Sequence, residues 1–346
     1  MYWPMKKILI VAPAWIGDAI MAQPLYARLH QRYPGLILDV LAPAWTRPLH
    51  ERMPEVHAAL DNPFGHGELG LRQRWRLGRT LKAAGYEQVI VLPNSLKSAL
   101  VPWFARIPKR TGWVGEARYG LLNDARKLDP YALPLMVERF LALADEPDAE
   151  RRRPLHPRLV VQHAHRDAVR ARLRLPTDLP VVALCPGAEY GPAKRWPARH
   201  AATLSLALLE RGYQVWLFGS DKDAPIAGEI ADMAPGVVNL AGKTSLSEAI
   251  DLMSLAKGAV CNDSGLMHVA AALHIPLVAI YGSSSPEFTP PLSDRAAIVT
   301  LDLECAPCFE RTCPLGHMKC LNDLAPQRVL DTLLPMLPSP IAKQAV

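Results

Sequence analysis

Two junctions of the type strand, glycine loop, helix lie in opposite halves of the chain and constrain its fold most. The first is Trp15–Met21 (WIGDAIM) after the apolar run Ile8–Val11, and the second is Asn262–His268 (NDSGLMH) after the run Ala259–Cys261. In an open parallel sheet such junctions lie at the carboxyl ends of the strands, where ligands bind. A helix that begins there directs free backbone N–H groups at an anion. The sequence therefore predicts one ligand-facing loop in each half, as in an enzyme that works in a cleft between two domains.

The same alternation of apolar runs and amphipathic stretches extends along both halves. It predicts buried parallel strands at Ile8–Val11, Leu36–Leu41, Val89–Leu92, Val181–Cys185, Val215–Phe218, Ala259–Cys261 and Leu277–Tyr281. It predicts helices at Ala19–Tyr33, Leu71–Ala84, His163–Leu175, Ala198–Arg211 and, behind a capping box at Ser245–Glu248, up to Ala256. The proline-containing stretch Asp145–Arg158 is the candidate linker. Two such halves predict an α/β protein with two doubly wound domains, residues 1–160 and 161–346.

Charge and hydropathy limit the partners. The net charge of +6 favours anionic partners. The sequence carries neither an RNP aromatic pair nor a zinc-finger spacing, which argues against nucleic acid. We interpret the basic run Arg151–Arg153 as a solvated linker. No apolar run approaches the ~20 residues of a bilayer span, and we interpret Met1–Ala14 as the first strand rather than a signal peptide. We therefore expect a cytoplasmic protein.

The two junction loops carry candidate catalytic groups. Asp18, after Gly17, either interacts with the helix dipole or accepts a proton from an incoming hydroxyl. The loop Asp263-Ser264-Gly265-Leu266 suits close approach of backbone to a pyrophosphate, although it is neither GxGxxG nor Walker A. His268, one turn later, is either structural or within reach of a phosphate or donor hydroxyl.

Two further loops follow predicted strands of the second half. In Pro186–Pro197, Lys194 either faces solvent or stabilises negative charge that develops on a leaving group. The stretch Phe218–Asp223 is able to hold a ribose or a base, although such loops are common in proteins that bind no nucleotide.

Four cysteines, Cys305, Cys308, Cys313 and Cys320, lie close together with His317 between them. The spacing matches no standard finger or ribbon. Three interpretations remain open: a structural zinc site, reduced thiols packed in a C-terminal loop, or a disulfide that forms on isolation. In each case we expect the segment to stabilise the local fold and not to form the catalytic centre.

Together with these motifs, further segments over nearly the whole chain resemble one family. They are Arg52–Val56, Leu92–Leu100, Arg110–Trp113, Arg118–Asp124 and Pro186–Pro197. The chain resembles the ADP-heptose:lipopolysaccharide heptosyltransferases, glycosyltransferase family 9. The Pro-Asn-Ser and cysteine segments resemble heptosyltransferase II, which adds the second heptose, more than heptosyltransferase I.

The resemblance implies a GT-B fold, in which two Rossmann-like domains face each other across a central cleft. Residues 1–160 would bind the lipopolysaccharide core acceptor and residues 161–346 the donor ADP-L-glycero-D-manno-heptose, with a C-terminal tail that returns to the N-terminal domain. The reaction would invert the anomeric centre without a cofactor or metal, with Asp18 as the general base and Lys194 at the leaving phosphates. The remaining donor-binding residues would be Gly17, Gly187, Gly219, Asp263, Ser264, Gly265, Leu266 and His268. Glu189 and Tyr190 depart from the family, since related transferases have hydroxyl residues before the phosphate lysine.

The acceptor would be an anionic saccharide at the cytoplasmic face of the inner membrane. Asn94, Ser95, Lys97, Arg110 and Arg118 are the candidate acceptor-binding residues; the three cations either bind acceptor anions or are ordinary surface charge. We expect a monomer in transient peripheral contact with the anionic membrane. The alternatives are a sister transferase with another core acceptor, a non-catalytic nucleotide-sugar binding module in which Asp18 only caps a helix, and a zinc-dependent protein.

Overall fold

The computed structural model describes residues 6–65, 67–150, 153–176 and 178–339. The chain divides into two compact units, Met1–Leu159 (unit 1) and Val160–Val346 (unit 2). Each unit contains a six-stranded sheet in which every strand pair is parallel. The predicted α/β class with two doubly wound halves is therefore confirmed. Arg151 and Arg152, interpreted above as linker, lie outside the described residues.

Unit 1 has the strand order β3-β2-β1-β4-β5-β6. Its strands are β1 (Lys7–Val11), β2 (Ile37–Ala42), β3 (Ala58–Asp61), β4 (Gln88–Val91), β5 (Lys109–Trp113) and β6 (Asp124–Arg126). Its helices are α1 (Ile16–Met21), α2 (Gln23–Arg32), α3 (Arg47–His50), α4 (Leu71–Lys82), α5 (Leu100–Phe104) and α6 (Met136–Leu141). Strand β1 is central, and its apolar residues are completely buried because both faces of the sheet are covered.

The single helix predicted over Ala19–Tyr33 is two helices, α1 and α2, which meet at Ala22. The physical reason is Pro24, which has no N–H to donate to the carbonyl of Ile20 and so interrupts the first helix. At the second position of α2 the missing N–H costs nothing, because N–H groups of a first turn have no partner within the helix. The break makes α1 a short helix of its own directly after the glycine loop.

Unit 2 has the strand order β12-β11-β10-β7-β8-β9. Its strands are β7 (Val181–Cys185), β8 (Gln214–Leu217), β9 (Val238–Asn239), β10 (Ala256–Asn262), β11 (Leu277–Ile280) and β12 (Ala296–Val299). Its helices are α7 (His163–Arg172), α8 (Ala198–Glu210), α9 (Ala224–Met233), α10 (Leu246–Met253), α11 (Gly265–Ala272), α12 (Lys319–Asn322) and α13 (Pro326–Leu333). The central strand β10 thus ends at the Asp263 loop that the sequence marked as ligand-facing, and its neighbour β7 ends at the loop that carries Lys194.

The capping box before α10 is confirmed. The Ser245 hydroxyl accepts a hydrogen bond from the Glu248 N–H, and the Glu248 carboxylate accepts one from the Ser245 N–H at 2.8 Å. The helix ends at Met253 and not near Ala256 as predicted, because Ala256 already pairs with Val181 at the start of β10.

The described part of the C-terminal tail packs on the core of unit 2. Val329 and Leu333 of α13 belong to that core, and the Tyr213 hydroxyl donates to the Pro338 carbonyl at 2.9 Å. A return of the tail to unit 1 stays a prediction. Within the described ranges, none of the helices combines the length and apolar character that a membrane span requires.

Candidate active site

The first junction loop lies at the carboxyl end of β1, as predicted. Trp15 has extended backbone before α1, and Asp18 lies half-buried in the first turn of that helix, next to Gly17. A carboxylate is stabilised there by the positive end of the helix dipole. The position is compatible with either interpretation of Asp18, because a group in a first turn also faces the ligand side of a parallel sheet.

An open cavity of ≈ 140 Å³ lies beside this loop in unit 1. Of the predicted acceptor residues, Ser95 and Lys97 line it, and sequence reasoning missed three other lining residues, Trp45, Asn62 and Arg74. The Trp45 indole N–H donates to the Ala14 carbonyl at 2.8 Å, which fixes a ring that is half exposed. The buried Oδ1 atom of Asn62 has no hydrogen-bond partner within the described residues. Indole rings and amides are groups able to contact a saccharide.

Arg118 holds the loop that carries Ser95. Its guanidinium is buried, and it donates to the carbonyls of Pro93 at 2.5 Å and Trp113 at 2.6 Å and to the Ser98 hydroxyl at 3.0 Å. Burial lowers the pKa of Arg118 to about 10, so the group stays charged at neutral pH. The structure therefore gives Arg118 a positioning task, which sequence reasoning had not foreseen.

Two more candidate acceptor residues, Arg110 and Asn94, also lie in unit 1. The Arg110 guanidinium donates to the carbonyls of Leu121 at 2.6 Å and Ile107 at 2.7 Å, and burial lowers its pKa. Asn94 is exposed on the loop before Ser95. Direct contact of these residues or of Arg118 with an acceptor stays a prediction.

In unit 2, Lys194 and Asp263 form a largely buried ion pair. The Lys194 ammonium lies 2.5 Å from Asp263 Oδ2, and the Ser284 hydroxyl donates to the same oxygen at 2.5 Å. The Asp263 side chain is only 5% exposed and that of Lys194 only 17%. An ammonium has three N–H donors, so the bond that fixes Lys194 leaves donor capacity for an anion. The predicted phosphate lysine and the predicted Asp263 loop thus meet at one point.

Asn262 ties the two loops together. Its Oδ1 accepts from the Trp196 N–H at 3.2 Å, and its Nδ2 donates to the Pro186 carbonyl at 2.7 Å. Ser264 occupies the N-cap position of α11 with extended backbone, and Gly265 and Leu266 form the first turn. A first turn leaves the N–H groups of Gly265 and Leu266 without partners inside the helix, and these groups point beyond the carboxyl end of β10. Sequence reasoning missed Asn262 and Ser284, whose partners are remote in sequence.

His268 is buried in α11. Its pKa is lowered to about 4, mainly by burial; the charge of Asp263 raises the pKa and that of Lys194 lowers it. The imidazole is therefore neutral near pH 7, and it would act on a ligand as a neutral hydrogen-bonding group and not as a cation.

Gly187 and Gly219 make room for a carboxylate that sequence reasoning did not select. A Cβ atom on Gly187 would lie 2.2 Å from Asp223 Oδ1, and one on Gly219 would lie 2.7 Å from Asp223 Cβ. The Asp223 carboxylate accepts from the N–H and hydroxyl of Ser220 at 2.9 and 2.8 Å. Asp223 thus lies at the ends of β7 and β8, and the only signal in the sequence was its place in the loop after Phe218.

Tyr190 connects the lysine loop to the cysteine segment. Its hydroxyl donates to the Phe309 carbonyl at 2.7 Å, and its ring lies 5.0 Å from both the Lys194 ammonium and the Arg311 guanidinium. Glu189 forms an exposed ion pair with Lys222. Neither Glu189 nor Tyr190 has an aliphatic hydroxyl like that of Ser or Thr, but the ring of Tyr190 contacts Lys194, the predicted phosphate ligand.

The four cysteines and His317 line one cavity of ≈ 20 Å³, and the structure contains all four as free thiols: Cys305, Cys308, Cys313 and Cys320. Backbone N–H groups, that of Met318 first, lower the pKa of Cys313, and burial raises the pKa of Cys320. Among the described residues no group of three or more His, Cys, Asp or Glu side chains is arranged to hold a metal ion. Zinc, packed thiols and a disulfide that forms on isolation all stay hypotheses for this segment.

Comparison with known proteins identifies the family of this site. The sequence profile of glycosyltransferase family 9 (heptosyltransferase) matches residues 74–319. Lipopolysaccharide heptosyltransferase 2 of Salmonella typhimurium is 49% identical, covering 96% of this chain and 98% of that protein. Lipooligosaccharide heptosyltransferase 2 of Haemophilus influenzae is 46% identical over 96% and 99%.

Among solved structures, ADP-heptose lps heptosyltransferase II of E. coli superposes with a TM-score of 0.85 at 47% identity, covering 94% of this chain and 97% of that one. A glycosyltransferase family 9 protein of Veillonella parvula also gives 0.85, at 20% identity, which supports the fold alone. The chain belongs to glycosyltransferase family 9, the heptosyltransferases, and is an α/β enzyme of sugar transfer.

Proposed function

We propose that the chain is an inverting glycosyltransferase that transfers L-glycero-D-manno-heptose from ADP-heptose to the first heptose of the lipopolysaccharide inner core. The observation that carries the proposal is the buried Lys194 ammonium, held by Asp263 where the loops after β7 and β10 meet. The names and near full-length identity of the relatives support the donor and the acceptor stage.

Unit 2, essentially the predicted donor domain 161–346, binds ADP-heptose. The Lys194 ammonium and the N–H groups of Ser264, Gly265 and Leu266 bind the diphosphate. They stabilise the charge that grows on it as the bond from the anomeric carbon to the phosphate oxygen breaks. Gly187 and Gly219 leave room for Asp223 at the ends of β7 and β8, where the nucleoside binds beside them, and His268 acts as a neutral group in α11. Because protein N–H donors neutralise the leaving group, the reaction requires no metal or other cofactor.

Unit 1, essentially the predicted acceptor domain 1–160, binds the core saccharide in the cavity that Ser95 and Lys97 line. Asp18 acts as the general base. Its carboxylate takes the proton from the acceptor hydroxyl as the oxygen attacks the anomeric carbon from the face opposite the leaving ADP. Attack from that face inverts the configuration. This assignment rests on the GT-B fold that the family resemblance implies.

The proposed acceptor also implies a location in the cell. A lipid-linked, anionic acceptor requires the enzyme to work at the cytoplasmic face of the inner membrane, and the net charge of +6 favours peripheral contact there. We propose that the protein does so as a monomer and without a nucleic-acid partner.

The test measures heptose transfer from ADP-heptose to a core that carries one heptose, by mass spectrometry with EDTA present. We expect the gain of one heptose. In Asp18→Asn, turnover falls roughly 10²–10⁴-fold with donor affinity unchanged, because only the proton acceptor is lost. The matched control is Asp148→Asn, which removes an exposed carboxylate from the same unit.

The outcomes separate the alternatives. Equal turnover of Asp18→Asn and wild type would remove Asp18 as the base. No transfer to this core but transfer to a different core acceptor would identify a sister transferase. Donor binding without transfer to any core would identify a nucleotide-sugar binding module.

A further inference from the structure

Helix α4 concentrates positive charge on the surface of unit 1. Its sequence, LRQRWRLGRTLK, contains five cations and no acidic residue. Arg74 is buried, whereas the other four cations are exposed, at Arg72, Arg76, Arg79 and Lys82. The helix therefore presents a row of charges that no acid of its own neutralises.

Large apolar side chains are exposed among these cations. Leu71 is 52% exposed and Trp75 is 48% exposed. Residues four apart lie on the same side of a helix, so Leu71, Trp75 and Arg79 form one stripe. The Arg79 guanidinium lies 5.9 Å from the Trp75 ring, within cation–π range. This stripe combines apolar and charged side chains, and all three of them are exposed at the surface of unit 1.

Helix α5 extends the same surface. A Cβ atom on Gly78 would lie 2.5 Å from Phe104 Cβ and 2.9 Å from the Val101 carbonyl, so this glycine lets α5 lie directly against α4. Helix α5 carries Trp103, which is 45% exposed, and exposed Arg106 follows it. We define the α4–α5 face as Leu71, Arg72, Trp75, Arg76, Arg79, Lys82, Trp103 and Arg106.

We propose that the α4–α5 face docks on an anionic phospholipid bilayer. Tryptophan is favoured at the boundary between headgroups and acyl chains, because its ring is apolar and its N–H is polar. Arginine and lysine around it are attracted to anionic headgroups. Nucleic acid would satisfy the cations, but it would leave the exposed leucine beside Trp75 without a partner. Charge and apolar surface together fit a lipid interface.

The other side of the same helix pair lines the candidate acceptor cavity. Arg74 of α4 and Val101 of α5 contribute to its wall, and the Arg74 guanidinium donates to the Lys97 carbonyl at 3.2 Å. Docking through the α4–α5 face would hold the cavity at the surface from which a lipid-linked saccharide projects. In this respect the inference rests on the proposed function.

The test uses the full chain and sedimented vesicles of phosphatidylcholine, alone or mixed with phosphatidylglycerol. We expect binding to the mixed vesicles only. The variant Arg72→Gln/Arg76→Gln/Arg79→Gln should bind them roughly 100-fold more weakly, given the contribution of each cation near an anionic surface. Trp75→Ser/Trp103→Ser should weaken binding about tenfold, because less apolar ring surface enters the interface. The matched control is Arg199→Gln/Arg211→Gln/Arg328→Gln, which removes the same charge from exposed positions of unit 2.

A second readout compares two acceptors, a deacylated core saccharide in solution and the intact lipid in vesicles. The triple variant of α4 should keep wild-type turnover on the soluble saccharide, which also shows that it folds, and lose turnover on the vesicles. Equal vesicle binding by the α4 variant and wild type, an equal loss in the control, or binding of an RNA duplex in place of vesicles would overturn the inference. Failure of the proposed function would give a different result, because the wild type would then transfer heptose to neither acceptor. Vesicle binding by the wild type and the variants would still test the α4–α5 face in that case.

Discussion

Replacing Lys194 with methionine removes one charge from an ion pair that the fold buries, and it leaves the aliphatic stem in place. Asp263 would keep its bond from Ser284 but would lose the ammonium at 2.5 Å. Breaking a buried ion pair costs about 3–5 kcal/mol, because an uncompensated charge remains. Since Lys194 retains some exposure, we expect the lower end, about 3 kcal/mol. For a unit of this size that lowers Tm by about 6–12 °C.

The double variant Lys194→Met/Asp263→Asn separates stability from catalysis. It carries no unpaired charge, so at least half of the lost Tm should return. Turnover should stay roughly 10²–10³-fold below wild type in both variants, because neither has a cation for the leaving diphosphate. Scanning calorimetry gives Tm, and steady-state transfer with saturating acceptor gives turnover.

The matched control is Lys222→Met, which breaks the exposed ion pair with Glu189 in the same region of unit 2. An exposed pair contributes at most about 1 kcal/mol, so Tm should change by no more than about 4 °C. A wild-type Tm for Lys194→Met would refute the buried pair. A double variant as unstable as the single one would show that the unpaired carboxylate is not the cause, and restored turnover in it would remove Lys194 from catalysis.

Three further predictions concern the acceptor loop, the pH dependence and metal. Arg118→Met should raise the KM for acceptor about tenfold, through the lost bonds to Pro93 and Ser98, and leave the KM for ADP-heptose unchanged; equal changes in both would contradict a local role. Burial lowers the pKa of His50 to about 3. As pH falls below about 6.5, the unfolded state therefore binds the proton before the folded state does. The contribution of neutral His50 to the free energy of unfolding is complete above about pH 6.5 and is lost as pH falls towards 3. His50→Leu should therefore flatten the fall of Tm between pH 6.5 and 4, and an unchanged slope would contradict this. EDTA should leave turnover unchanged; a loss that zinc restores would instead assign a metal to the Cys305–Cys320 segment.

Hydrophobic patterning was sufficient for the central strands and insufficient for the sheet edges. The middle residues of strands β1, β4, β7, β10 and β11 are buried on both faces, so each strand contains a continuous apolar run. Strands β3, β9 and β12 are short and partly exposed. Strand β5 begins with Lys109 and Arg110, whose charges concealed it. At these positions pairing with a neighbouring strand determines the conformation, and the sequence of the strand alone does not reveal its neighbour.

The candidate site shows the same division between local and tertiary information. Parallel topology brings every loop after a strand to one edge of the sheet, so Lys194 and the Asp263 loop could be placed near each other from the sequence. Their ion pair, and the bonds of Asn262 and Ser284, depend on how three loops pack, which no local pattern specifies. Asp223 was not selected from the loop after Phe218, because its position is visible only through the space that Gly187 and Gly219 leave for it.

Net charge predicted anionic partners but could not say where they bind, because arginines in unit 1 serve two different purposes. Arg74, Arg110 and Arg118 turn inwards and donate to backbone carbonyls. Arg74 and Arg118 fix the loop that lines the candidate acceptor cavity, and burial lowers the pKa of all three arginines. The exposed cations of α4 have no such carbonyl partners within the described residues, so their charge contributes directly to the field at the surface. A substitution of a buried arginine should therefore act through loop geometry and be insensitive to salt, whereas a substitution on α4 should act through a long-range attraction that salt screens.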